Sequence, residues 1–133
     1  MESSTANLCV FETSGRISLA SEIIVKANKI LACQTAPNKG VIITNSGFRV
    51  EGGNVRIEHC EIMNGDEAFG RAYEFRRGLT ISSASGGQPV DNVIVQNSAI
   101  AWGIDENMSS GAASGVATSN LTYYRNFIFD ALL

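Results

Sequence analysis

Along this chain apolar residues recur at every second position in short bursts, and no burst runs on long enough for a helix. Ile17-x-Leu19, Ile23-Ile24-Val25, Ile30-Leu31, Val41-Ile42-Ile43, Phe48-x-Val50, Leu79-x-Ile81 and Val93-x-Val95 each read as a short strand. Glycine, proline and asparagine separate them. Ser14-Gly15, the loop Gln34-Thr35-Ala36-Pro37-Asn38-Lys39-Gly40 and the run Gly111-Ala112-Ala113-Ser114-Gly115 all read as breaks. The chain is therefore expected to be all-β.

The strands also repeat. Asn54-Val55-Arg56-Ile57-Glu58-His59-Cys60-Glu61-Ile62, Asn92-Val93-Ile94-Val95-Gln96-Asn97-Ser98-Ala99-Ile100 and Asn120-Leu121-Thr122-Tyr123-Tyr124-Arg125-Asn126-Phe127-Ile128 share a leading Asn, apolar residues one and three places on, and Ile eight places on. Asn28-Lys29-Ile30-Leu31 is a weaker fourth member. The leading asparagines lie 26, 38 and 28 residues apart, and the long middle interval holds a charged insertion from Asp66 to Arg77. Several short strands per repeat without a helix describe coils of parallel β-structure stacked into a β-helix or solenoid. One inward column would be Val55, Val93 and Leu121, another Ile57, Val95 and Tyr123. Cys60, Ser98 and Asn126 would mark a turn, and the leading asparagines would take the left-handed conformation of tight turns.

With 133 residues there is room for one domain, and 44% hydrophobic against 17% charged residues argues against disorder. No apolar run is long enough to cross a membrane as a helix. A net charge of −3, with only Arg76-Arg77 adjacent among the basic residues, provides no face for nucleic acid. Cys9, Cys33 and Cys60 are an odd number at wide spacing, and with one histidine they build no zinc site, so they read as reduced core thiols. The amino terminus, Met1 to Asn7, lacks the basic and apolar regions of a signal peptide.

Acidic turns are the main candidate chemistry. Asp105-Glu106 closes one repeat and Asp66-Glu67 the corresponding end of the one before, which would set four carboxylates on neighbouring coils of one face. Hard oxygen ligands in irregular geometry suit Ca²⁺. Solvated turn residues that bind nothing would look the same. His59 has no nucleophile motif to serve. Trp102, beside Gly103, could stack on a sugar ring or simply pack. A metal-assisted reaction on an anionic sugar and a plain binding surface both stay open.

Four motifs taken together resemble the pectate lyase family of right-handed parallel β-helix proteins. They are Val10-Phe11-Glu12-x-Ser14-Gly15-x-Ile17-x-Leu19, Gln34-Thr35-Ala36-Pro37, Asn64-Gly65-Asp66-Glu67, and Asn92-Val93-Ile94-Val95 through Trp102-Gly103-Ile104-Asp105-Glu106. The resemblance implies a right-handed parallel β-helix of about four coils, with residues 1–133 forming one partial domain. It implies a secreted, calcium-dependent lyase that cleaves polygalacturonate by β-elimination, with the metal role falling on Asp105 and Glu106 and, less directly, on Asp66 and Glu67. No catalytic residue is assigned, because the family's arginine-bearing coils would follow Leu133. The chain alone is thus expected to be incomplete and inactive, and to self-associate through an uncapped last coil. Gln96-Asn97-Ser98 stands where the family carries Asp-His-Cys, which favours an alternative, a non-catalytic structural or carbohydrate-binding module.

Overall fold

The period-two bursts become strands, seen in a computed structural model that describes residues 7–67, 76–84, 87–112 and 116–132. In chain order these are β1 (Asn7–Val10), β2 (Gly15–Ser18), β3 (Ile23–Val25), β4 (Lys29–Ala32), β5 (Val41–Thr44), β6 (Phe48–Val50), β7 (Val55–Glu58), β8 (Glu61–Met63), β9 (Leu79–Ser82), β10 (Val90–Gln96), β11 (Ala99–Ala101), β12 (Met108–Gly111), β13 (Thr118–Tyr124) and β14 (Phe127–Phe129). A 3-10 turn, Cys33–Thr35, opens the Gln34 to Gly40 loop. Every third strand pairs in parallel. The first sheet is β1-β4-β7-β10-β13, the second β2-β5-β8-β11-β14 and the third β3-β6-β9-β12, so each coil gives one strand to each sheet. This is a parallel β-helix of four full coils with a fifth begun by β13 and β14.

The register stacks like on like, about 4.8 Å per coil. Val93 lies between Val55 and Leu121, and Val95 between Ile57 and Tyr123. The second sheet contributes an isoleucine column, Ile17, Ile43, Ile62, Ile100 and Ile128. The third turns Phe48, Leu79 and Met108 inward above Ile23. Val55, Ile57, Val93 and Val95 are wholly buried. Leu121 is only half-buried and Tyr123 is 42% exposed, against expectation. Both sit on β13, the outer strand of its sheet, which has a neighbour on one side only.

Left-handed residues form the corners. Asn28, Asn54, Asn92 and Asn120 have φ of 60°, 57°, 56° and 49°, a region that asparagine tolerates because its amide can bond locally. Their side chains climb the stack as a ladder. Asn54 Nδ2 donates to Asn28 Oδ1 at 3.1 Å and Asn92 Nδ2 to Asn54 Oδ1 at 2.9 Å. At the next step Asn120 Nδ2 (2.7 Å) and Ser119 Oγ (2.8 Å) both donate to Asp91 Oδ1. The bonds from Ser119 and then Asn120 hold the Asp91 carboxyl below its ordinary pKa of 3.8. A depressed folded-state value means that the stabilisation is complete above the unfolded pKa of about 3.9 and fades as pH falls through the folded one. Urea denaturation across the acid range should show part of this loss disappearing in Asp91→Asn. An unchanged acid limb would remove Asp91 from it.

The cysteines depart from the sequence reading. Cys33 and Cys60 form a disulfide between the second and third coils, with Cα atoms 5.0 Å apart, and Cys9 is free. Their separation of 27 residues is one coil, so stacking brings the second of the pair directly over the first. Above them the column continues as polar bonds facing inward. Cys60 N donates to Ser98 Oγ at 3.1 Å, and Ser98 N to Asn126 Oδ1 at 3.0 Å.

Candidate functional site

The corner between the second and third sheets collects all four acidic candidates. Asp66 and Glu67 follow β8, and Asp105 and Glu106 follow β11 one coil above. The two turns are tied through Gly65 N, which donates to the Trp102 carbonyl at 3.0 Å. The insertion starting at Asp66 enters at this same corner, and its residues 68–75 lie outside the described structure.

Neighbouring coils are brought together as expected, yet the carboxylates turn to arginines. Arg77 places Nη2 2.6 Å from Asp105 Oδ2, donates from Nε to the same oxygen at 2.6 Å, and has Nε 3.2 Å from Glu106 Oε2. Glu67 reaches the other way. Its Oε1 is 3.1 Å from Arg16 Nη1 and its Oε2 accepts from Ser18 Oγ at 3.4 Å. Asp66 is exposed. Among the described residues no three His, Cys, Asp or Glu side chains gather closely enough to hold a metal ion.

The 102–107 turn is braced from three coils. Ile104 N and Asp105 N donate to the Arg76 carbonyl at 3.1 and 3.4 Å, and Gly78 N to the Glu106 carbonyl at 3.1 Å. Asn107 Oδ1 accepts from Gly103 N at 2.8 Å while its Nδ2 donates to the Phe129 carbonyl at 2.8 Å. Gly103 is required here, since a Cβ at that position would run into the Glu106 carbonyl. Trp102 opens the turn at φ 57° and leaves 40% of its surface exposed.

A second polar cluster lies on the outer face of the first sheet, and sequence reasoning missed it. Glu58 is 92% enclosed, with Oε1 bound by Arg56 Nη2 (2.6 Å) and Gln96 Nε2 (2.9 Å) and Oε2 by Gln34 Nε2 (3.2 Å). Three coils share it. The period-two alternation of Arg56 and Glu58 marked both as outward, but only the register shows that Gln96 stands over Glu58. Tyr124 follows Gln96 on the next coil, with Arg125 4.9 Å from its ring centre. His59 points outward at φ 56°, its Nε2 3.3 Å from Asn97 Nδ2. At the corner between the third and first sheets, a hollow of about 380 Å³ is lined by Lys26, Glu51, Gly52 and Gln88, and the Lys26–Glu51 pair closes on itself at 2.9 Å.

No family model matches the chain, and no solved structure gives a significant match. Curated fungal proteins do. Over 122 residues the chain is 26% identical to a probable pectate lyase C of Neosartorya fischeri, 28% to one of Aspergillus fumigatus and 25% to one of Emericella nidulans. Each match covers 89% of this chain and 26% of the relative, so the chain spans about a quarter of the length of the curated relatives it matches. The chain is thus pectate lyase-like in sequence over most of its length and a parallel β-helix in fold.

Proposed function

We propose that this chain is a polysaccharide-binding section of a pectate lyase-like β-helix, and that its ligand is an acidic polysaccharide of the pectate type. One observation carries the reading: the similarity to pectate lyase C runs through 89% of the chain, in the same region that forms the stacked coils. A β-helix suits such a ligand because its sheets and corners repeat along one axis, as the sugar units of a chain do. The Cys33–Cys60 bridge supports an extracellular setting, since disulfides persist in oxidising compartments. No helix among the described residues is long and apolar enough to cross a membrane.

Catalysis by β-elimination is the activity proposed for a longer pectate lyase-like protein rather than for this section. Abstraction of a sugar ring proton needs a base within about 2.6–3.2 Å of it. Arg16, Arg49, Arg56 and Arg77 each face a carboxylate, and Arg125 lies over Tyr124. As they stand Asp105 and Glu106 are both paired with Arg77, which offsets one of their two negative charges, so a calcium ion would have to displace that guanidinium. These paired cations favour the second reading, a carbohydrate-binding module without its own catalysis.

Gel electrophoresis through polygalacturonate tests binding, and ultraviolet absorbance of the unsaturated product tests cleavage. Retardation without product is expected. Migration unaffected by the polysaccharide would overturn the reading, and product formation would show that this chain holds a working base.

A further inference from the structure

Most left-handed corner positions here carry residues suited to them, whereas Trp102 and, at the exit from the first sheet, Arg125 (φ 53°) are not of that kind. At the exit from the second sheet the left-handed residue is Asn45 (φ 70°), Gly65 (φ 74°) and Asp130 (φ 45°) in the second, third and fifth coils. Asparagine, aspartate and glycine tolerate that conformation, whereas a bulky aromatic there is an outlier that costs conformational energy. Strain of this kind persists where the surroundings over-determine it, and it clusters at ligand sites. The core does not account for Trp102, since 40% of its surface is exposed. Its hydrogen-bonded turn is also fixed from both sides, by Arg76 and Arg77 on the coil below and by Asp130 and Phe129 on the coil above. A rigid backbone thus presents an indole to solvent.

We infer that Trp102 is a stacking platform for a pyranose ring, the contact that seats one sugar unit of the polysaccharide at this corner. The inference rests on the polysaccharide reading above and names the residue and the part of the ligand that meet. Indole suits the C–H face of a sugar because it is large, flat and apolar with a polar N–H at its edge. Among the described residues the surrounding charges do not recruit a uronate group: Arg77 is held by Asp105 and Glu106, Arg16 by Glu67, and Asp66 and Asp130 are exposed acids. The ring face, not the carboxylate, is therefore what Trp102 takes.

Trp102 is the chain's only tryptophan, so its fluorescence reports on this site alone. Titration with tetragalacturonate is expected to change that emission, and polyglutamate, an acid polymer without sugar rings, is expected to leave it unchanged. Trp102→Asn, a residue suited to the left-handed position, should melt no lower than the wild type and bind tetragalacturonate about tenfold more weakly. Trp102→Phe, which keeps a ring, should retain most of the affinity. Binding in the polygalacturonate gel with unchanged emission, together with equal affinity in Trp102→Asn, would overturn the platform while leaving the polysaccharide reading intact. A loss of melting temperature in both variants without loss of affinity would assign Trp102 to packing and overturn it as well. No retardation of the wild type in the gel would remove both.

Discussion

Ile57→Ala should lower the unfolding free energy by about 2–5 kcal/mol, the range for removing a buried aliphatic side chain and leaving a cavity. Ile57 has no exposed surface and is stacked between Leu31 on the coil before and Val95 on the coil after. A solenoid has few ways to close such a hole, because each coil touches only its neighbours and the backbones keep their spacing of about 4.8 Å. Thr122→Ala, on the exposed face of β13, is the control and should change stability by less than about 0.5 kcal/mol. Urea denaturation measures both. A loss below about 1 kcal/mol at Ile57 would mean that the coils collapse onto the gap more freely than rigid stacking allows.

The paired replacement Cys33→Ala and Cys60→Ala, or reduction of the native chain, should cost about 3 kcal/mol. The bridge closes a loop across 27 residues, and opening it returns that loop's freedom to the unfolded chain. Denaturation midpoints with and without dithiothreitol give the comparison. Cys9→Ser, at the free thiol, should leave the response to reductant intact. Equal midpoints in oxidised and reduced protein would show that the stacked column holds these coils without its covalent link.

What could be read from the sequence was what recurs along it. The asparagine-led segments announced the coil, and the register pairs Val55 with Val93 and Val93 with Leu121 as the alignment of those segments requires. Left-handed turns at the four asparagines were legible for the same reason, since a corner that recurs demands the same backbone each time. The disulfide was legible in principle, because 27 residues is one coil, but the odd cysteine count hid it. Strand β12 was missed because Met108-Ser109-Ser110-Gly111 has no alternation of its own and is held by its pairing with β9. The acidic corner was placed correctly on neighbouring coils, yet its chemistry was not readable. Arg77 is the last residue of the charged insertion, where the repeat offers no position to align it with, and only the folded corner shows that it meets both carboxylates. Glu58 is a similar case, its partners Gln34 and Gln96 arriving from the coils on either side.

The asparagine ladder also gives the stack a direction. At each step the amide of the later coil donates and a side-chain oxygen of the earlier one accepts, from Asn54 to Asn28, from Asn92 to Asn54 and from Asn120 to Asp91. The first two steps share the Asn54 amide, so their bond dipoles add along the axis and each polarises the other, while the third ends on the Asp91 carboxylate. Each coil thus offers a side-chain oxygen to the coil that follows it, and the ladder extends in one sense along the stack.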